Sequence, residues 1–296
     1  MLSFDAVGKS FGDRRVLDGL TFDVRPGELF GFCGANGAGK TTAMRIALGV
    51  AEADSGTVRW NGVDVDAHSR RRFGYMPEER GLYAKMTPLD QLVYFGRLSG
   101  VRARDARRRA AEWIERLGVV AGPKDPLEKL SLGNQQKVQL IAALLHDPAV
   151  LVLDEPFSGL DPVAVDAMAE VLLECAREGA PVVFSSHQLE LVERLCDRVG
   201  ILRGGRLVAE GAVHELRRDA GPGRLRLSVT DVPPKWGHGV PGARVLVEEG
   251  GVTTLELESD GAAREALAAA QAVGRVEYFG RQEAGLADIF REAVAA

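Results

Sequence analysis

Gly34-Ala35-Asn36-Gly37-Ala38-Gly39-Lys40-Thr41-Thr42 is the stretch that decides the fold. The apolar run Leu29-Phe30-Gly31-Phe32-Cys33 precedes it, and the helical pattern Ala43-Met44-Arg45-Ile46-Ala47-Leu48 follows. A strand, a glycine-rich turn, Lys-Thr and a helix, in that order, read as a phosphate-binding P-loop. The glycines let the backbone curl until successive N–H groups face phosphate oxygens. The helix adds its positive N-terminal end. Lys40 is expected to reach the β- and γ-phosphates as a point charge, and the Thr41 hydroxyl to coordinate Mg²⁺. A glycine-rich turn with an unrelated Lys-Thr is the plain alternative, and the flanking strand and helix argue against it.

On the N-terminal side, Leu2-Ser3-Phe4-Asp5-Ala6-Val7 and Leu20-Thr21-Phe22-Asp23-Val24 alternate with period two and predict strands, with a turn at Pro26-Gly27. Phe11 lies between them and can stack on an adenine or fill a core; taken alone, it is predicted in the core. On the C-terminal side, Ser55 to Asn61-Gly62 reads as a strand ending in a tight turn. Phe73 to Pro77 predicts a short strand, and Glu78 to Tyr83 a polar loop. Residues 88 to 118 change to two helical stripes, with Gly100 and Gly118 at their ends. Five arginines between Arg102 and Arg109 suggest either nucleic acid or a solvated helix face; Asp105 and Glu112 interrupt the charge and favour the latter.

Leu130-Ser131-Leu132-Gly133-Asn134-Gln135-Gln136-Lys137 then opens an apolar helix with a second anion-ready N-terminus. Val150-Leu151-Val152-Leu153-Asp154-Glu155 is apolar on both faces, as a strand covered by helices is, and ends in two carboxylates. That end is where open α/β sheets bind ligands. Asp154 is the expected Mg²⁺ ligand and Glu155 the residue that polarises the attacking water. Ser158-Gly159-Leu160-Asp161 forms the next loop, and Val182 to His187 a further buried strand. A lone histidine after a strand is, by itself, a structural residue.

Composition sets the frame. The 296 residues are 46% hydrophobic and 27% charged, the balance of a globular protein of one large or two modest domains. A net charge of -5 supplies no overall basic field for nucleic acid. Cys33, Cys175 and Cys196 lack metal-ligand spacing and are expected to be reduced, buried thiols of a cytosolic protein. No signal peptide and no run of ~18 apolar residues are found, so any work at a membrane is expected to go through another chain.

Together these stretches resemble the ATP-binding subunit of ABC transporters. P-loop at Gly34, signature at Leu130, Asp-Glu at Asp154, Ser-Gly-Leu-Asp at Ser158 and Ser-Ser-His at Ser185 stand in the family's order over residues 1 to about 216. The resemblance implies an α/β fold: a P-loop NTPase core of the ABC type with an antiparallel β subdomain and a helical subdomain at about residues 86–147. It implies ATP and Mg²⁺ as cofactors. It also turns Phe11 into the adenine-stacking residue and His187 into the γ-phosphate contact. Two copies would pack head to tail around two ATPs, most simply as a homodimer. Ser131, Gly133 and Asn134 of one copy would cap the nucleotide held by Gly34, Asn36, Gly37, Ala38, Gly39, Lys40, Thr41 and Thr42 of the other. Glu155, His187, Lys40 and Glu78 would be catalytic, Thr41, Glu78 and Asp154 would hold the metal, and Asp161 would link the two sites.

Two positions depart from the family pattern. Glu78 stands where Gln is usual, and the signature reads Leu-Ser-Leu-Gly-Asn instead of Leu-Ser-Gly-Gly-Gln. With these features the chain resembles a bacterial exporter branch that includes sodium- and drug-efflux ATPases. The implied role is a peripheral motor on the inner face of the cell membrane, touching the membrane only through a separate permease. The permease is expected to dock on Glu79 to Tyr83 and Leu89 to Phe95. A soluble ABC-type ATPase acting on ribosomes or DNA is the alternative; that class fuses two ATPase units or inserts coiled coils, and this acidic chain does neither.

Gly221-Pro222-Gly223 signals a linker, so the ATPase domain is predicted over 1–218 and an accessory domain over 219–296. The tail reads as a strand at Arg224 to Val229, a hairpin around Gly250-Gly251, an alanine-rich helix from Ala262, a strand at Val276 and a final helix from Leu286. This is a small α+β domain with no convergent catalytic set, expected to stabilise a dimer or to regulate.

Overall fold

The structure, a computed structural model, describes residues 1–79, 81–219, 223–233, 235–259, 261–282 and 285–295. Contacts divide the chain into two compact units, Met1–Ala212 and Val213–Ala296.

The first unit opens with β1 (Leu2–Phe11), β2 (Arg14–Val24), β3 (Leu29–Gly34) and α1 (Lys40–Ala47). β4 (Ser55–Trp60), β5 (Val63–Asp64), α2 (Ala67–Arg70) and β6 (Phe73–Met76) follow. Then come α3 (Pro88–Leu98), α4 (Ala103–Arg116), α5 (Leu132–Leu144) and β7 (Val150–Leu153). The unit closes with α6 (Pro162–Arg177), β8 (Val182–Ser186), α7 (Leu189–Leu195), β9 (Arg198–Arg203) and β10 (Arg206–Ala212).

An antiparallel sheet runs β2-β1-β4-β5. β1 extends past the predicted Val7 because three register shifts and a left-handed Ala6 (φ 49°) break its alternation without ending its pairing. A second sheet runs β10-β9-β3-β8-β7-β6, parallel except for β10 on β9. Phe22 joins the two sheets, stacking on Phe4 at 4.3 Å, Phe32 at 5.1 Å and Phe30 at 5.3 Å between centroids. These rings are buried, and such pairs add about 0.5–1.5 kcal/mol each beyond burial.

Parallel registry fixes where the chemistry sits. Cys33 pairs with Ser186, Phe184 with Leu153, and Leu153 with Met76. The C-terminal ends of β3, β8, β7 and β6 therefore share one sheet edge. The P-loop, His187, the Asp154-Glu155 pair and Glu78 all leave from that edge, where α/β sheets place their ligands.

Helices α3, α4 and α5 form the helical layer. Thr87 caps α3 by accepting from the Asp90 N–H, with Pro88 in the first turn. Leu92, Ala106 and Ala110 are buried between the helices. Arg102, Arg104, Arg107 and Arg108 are exposed, and Arg108 pairs with Glu112; Arg109 instead is half-buried and donates inward to the Leu145 carbonyl at 2.9 Å. The four exposed arginines form the solvated face expected from the interrupted charge. Among the described residues no helix is long and apolar enough to cross a membrane. The cysteines are free thiols; Cys33 and Cys196 are buried, whereas Cys175 is half-buried, contrary to expectation, because it lies at the C-terminal end of α6. Burial pushes the Cys33 thiol up to about 12, which leaves it unreactive.

His146 follows α5, and its Nε2 lies 3.1 Å from the Phe73 carbonyl, which can only accept. The proton is therefore on Nε2, and burial holds the ring's pKa below the ordinary 6.5. The folded state thus binds fewer protons here than the unfolded chain, so this group removes stability as pH falls through the unfolded value. His146→Gln keeps a donor for Phe73 and loses the charge. It is expected to show a smaller drop in melting temperature between pH 7.5 and pH 5.5 than the parent; an equal drop would remove His146 as the cause.

The second unit begins at α8 (Val213–Asp219), which packs on the terminal helix α10 defined below. Contacts therefore break after Ala212, not after the predicted residue 218. Gly221 and Pro222 of the predicted linker lie outside the described residues. β11 (Arg224–Thr230), β12 (Ala243–Glu249), β13 (Val252–Leu257), α9 (Ala262–Val273), β14 (Arg275–Gln282) and α10 (Leu286–Ala295) complete it. The antiparallel sheet runs β12-β13-β11-β14. Ala262, Ala266 and Ala270 of α9 share its core with Leu225, Leu227, Val229 and Leu255. Alanines let the helix approach the sheet closely.

Candidate active site

The loop from β3 to α1 turns at Gly37 (φ 78°) and Gly39 (φ 115°), backbone that a side chain resists. At Gly39 space forbids one as well: a Cβ would come within 2.7 Å of Leu17 Cδ2 and 2.8 Å of the Val16 carbonyl. Gly39 is also the N-cap of α1, whose first turn has no capping side chain and no acidic residue. Its N–H groups are left for a ligand. Lys40 is buried, 6% exposed, and folds back so that Nζ donates to the Gly34 carbonyl at 2.7 Å and the Ala35 carbonyl at 3.3 Å.

These residues form the floor of a cleft of about 480 Å³, of cofactor-site size. Phe11, Arg14, Val16, Asn36, Gly37, Gly39, Lys40, Thr41, Thr42, Glu78, Asp154 and Glu155 line it. Phe11 is 56% exposed, so it is not the core residue that its surroundings suggest in isolation. Gly34 and Ala38 are absent from the lining. Gly34 ends β3, where a Cβ would meet the Leu202 carbonyl at 2.7 Å, and the Ala38 N–H is spent on the Ala35 carbonyl at 3.1 Å.

Behind the cleft stands a chain of bonds. Ser185 Oγ donates to Asp154 Oδ1 at 2.5 Å and accepts the Glu155 N–H at 2.8 Å. Asp154 is 1% exposed, and its second oxygen, Oδ2, has no partner. Glu155 is 7% exposed and holds a left-handed φ of 49°. Its Oε2 lies 2.9 Å from His187 Nδ1. A carboxylate accepts, so Nδ1 carries the proton and the exposed ring keeps its Nε2 outward of that pair. Glu155 is thus a buried carboxylate held in a sparsely populated backbone region, the kind of feature that clusters at functional sites.

The signature residues lie elsewhere. Ser131 is the N-cap of α5 and accepts the Asn134 N–H at 3.3 Å. Asp161 caps α6 through the Ala164 N–H at 2.9 Å. Neither they nor Gly133 and Asn134 line the cleft. Near Gly133 a Cβ would meet nothing closer than Leu160 Cδ2 at 3.6 Å, so nothing within the chain excludes a side chain there. The Asn134 amide does not face outward; it bonds the Val120 backbone and Ser131 Oγ.

Sequence reasoning missed four contributors. Arg14 and Val16 reach the cleft from β2. Ser185 links the Asp154 carboxylate to the Glu155 backbone N–H. Gln136 donates to the Pro156 carbonyl at 3.0 Å, tying the signature helix to the catalytic strand end. Gln136 and Gln139 had a readable signal: two buried amides three apart inside the apolar face of α5. Gln139 also lines a groove of about 260 Å³ with Tyr75, Leu82, Phe95, Leu98 and His146.

The sequence profile of the ABC transporter family matches residues 17–158, and that of the DrrA1-3-like ATP-binding protein C-terminal domain matches residues 211–294. An uncharacterised ABC transporter ATP-binding protein of Bacillus subtilis (strain 168), YhaQ, is 40% identical over 296 residues, covering 100% of this chain and 99% of its own. The Nod factor export ATP-binding protein I of Paraburkholderia xenovorans (strain LB400) is 38% identical, over 71% of this chain and 70% of its own. A solved ATP-binding subunit of an ABC transporter superposes with a TM-score of 0.68 at 32% identity, over 74% of this chain and 93% of that one. The cleft, its lysine and its paired carboxylates are those of an ATPase, and this chain belongs to the ATP-binding subunits of ABC transporters.

Proposed function

We propose that this chain is the ATP-driven motor of an exporter: two copies close head to tail on two ATPs, and a separate membrane permease converts the closure into transport. The observation that carries this is the separation of the two anion-binding helix ends. Lys40 and the start of α1 line the cleft, whereas Ser131 and Gly133 at the start of α5 do not. A second copy supplies the missing half, and Gly133, with no neighbour inside the chain to demand a glycine, is then accounted for by a phosphate approaching from the partner. Export is supported by the relative that bears that word in its name.

The residues fit Mg²⁺. Asp154 Oδ2 is buried without a partner, and Thr41 and Glu78 add two further oxygen donors facing the same cleft; a hard cation takes one or two such ligands plus phosphate oxygens. When bound, the ion neutralises charge on the β- and γ-phosphates. Glu78 brings a negative charge where an amide is usual, and this strengthens the case for a cation beside it.

Each residue then has a task. Phe11 offers an exposed ring face to the adenine. Lys40 leaves the Gly34 and Ala35 carbonyls for the phosphates. Glu155 accepts the proton of the attacking water, oriented by His187 and held by Ser185 through its backbone N–H. His187 faces the γ-phosphate from the sheet edge. Asp161, at the exposed start of α6, links the two composite sites. The groove beside Leu82 and Phe95, with exposed Tyr83 and Tyr94 at its margin, takes a segment of the permease, which places the chain on the inner face of the membrane.

Affinity purification of the tagged chain from its native membrane in mild detergent tests this. A polytopic membrane protein recovered in near-stoichiometric amount is the expected result. Recovery of ribosomal or DNA-bound partners without any membrane protein would overturn the motor reading.

A further inference from the structure

Ser131 Oγ is approached by two donors from one residue. The Asn134 backbone N–H reaches it at 3.3 Å and the Asn134 Nδ2 at 3.2 Å. A hydroxyl has two acceptor lone pairs and one O–H. With both lone pairs engaged by Asn134, the O–H of Ser131 is left only as a donor. The far side of the same amide is anchored as well: Asn134 Oδ1 accepts the Val120 N–H at 3.1 Å, and Nδ2 reaches the Val120 carbonyl at 3.4 Å. The amide therefore cannot flip without reversing the Val120 pair, where an N–H meets Oδ1 and a carbonyl meets Nδ2.

We propose that Asn134 is a positioning residue that fixes the Ser131 hydroxyl as a hydrogen-bond donor to the γ-phosphate of ATP held by the other copy. This rests on the head-to-tail reading above. It gives a physical reason for asparagine at a position where the family carries glutamine. Asparagine is short enough to hold Ser131 and Val120 at once from the first turn of α5. A phosphate oxygen can only accept, so a serine whose O–H was spent on a neighbour would repel it, and a serine with its lone pairs already occupied meets it correctly. Asn134 touches no nucleotide; it acts through Ser131.

A double-mutant cycle read by ATP-driven dimerisation tests this, in a Glu155→Gln background where ATP is bound but turned over slowly. Ser131→Ala, Asn134→Ala and the pair are compared by analytical ultracentrifugation with ATP and Mg²⁺, beside the ATP affinity of each monomer. Ser131→Ala and Asn134→Ala are each expected to raise the dimer Kd by about 10-fold, the pair by no more than either alone, and none to change monomer affinity. Asn134→Asp keeps an acceptor for Val120 and favours the helix start, so it folds; it cannot donate to Ser131 and is expected to weaken the dimer too. If Asn134→Ala leaves the dimer intact, or adds fully to Ser131→Ala, the positioning role is wrong while the head-to-tail reading stands. If Ser131→Ala has no effect, the head-to-tail reading fails and takes this role with it.

Discussion

Glu155→Gln is expected to keep ATP binding and to lose turnover by roughly 10²–10⁴-fold, the usual contribution of a positioned base. The substitution removes charge and basicity while keeping size. The amide oxygen still accepts from His187 Nδ1, and the backbone bond to Ser185 Oγ is untouched. In the proposed reading the phosphates are held by Lys40 and the start of α1, at the floor of the cleft. Binding and chemistry should therefore separate: nucleotide affinity within a few-fold of the parent, steady-state phosphate release nearly absent. Hydrolysis near the parent rate would show that another group activates the water.

Lys40→Ala acts on the other term and is expected to weaken ATP binding by roughly 10–100-fold, the cost of one or two charge-assisted hydrogen bonds. The fold should be little affected. Lys40 is a buried cation that bonds the Gly34 and Ala35 carbonyls, and removing it also removes the need to keep a charge there. Equilibrium binding of a fluorescent ATP analogue, set beside the melting temperature, reads both effects. An unchanged affinity would mean that the helix end alone holds the phosphates. A collapse of the melting temperature would mean that Lys40 is chiefly structural.

Most of the fold was legible because the informative stretches are local. The period-two run of β2, the apolar runs of β3, β7 and β8, and the stripes of α3 and α4 announce themselves within a few residues. β1 was under-read because its bulges hide its period. Helices α6 and α7 and strands β9 and β10 went unassigned, since no catalytic motif drew attention to residues 162–177 or 198–212. Contacts divide the chain at Ala212 and not at the Gly221-Pro222 signal, because α8 packs on α10, sixty-odd residues later, which no local pattern reveals.

At the site, residue types were readable and relations were not. Lys40, Asp154 and Glu155 were plain from the motifs. That Ser185 ties the Asp154 carboxylate to the Glu155 backbone N–H, that Arg14 reaches in from β2, and that Asn134 is anchored on Val120 all depend on contacts between residues remote in sequence. Position in a motif suggests a nucleotide contact for Asn134; the positioning role proposed above is a different task, built on its bonds to Ser131 and Val120.

The left-handed backbone of Glu155 has an evolutionary consequence. A non-glycine residue in that region stores about 1–3 kcal/mol, and glycine there would release it. Selection for heat resistance alone would thus drift away from the carboxylate proposed to activate water, and only the demand for turnover opposes that drift. Robustness and activity pull in opposite directions at this one peptide unit. A lineage that lost its need to hydrolyse ATP would be expected to show the loss first at residue 155, well before Lys40 or the glycines of the loop.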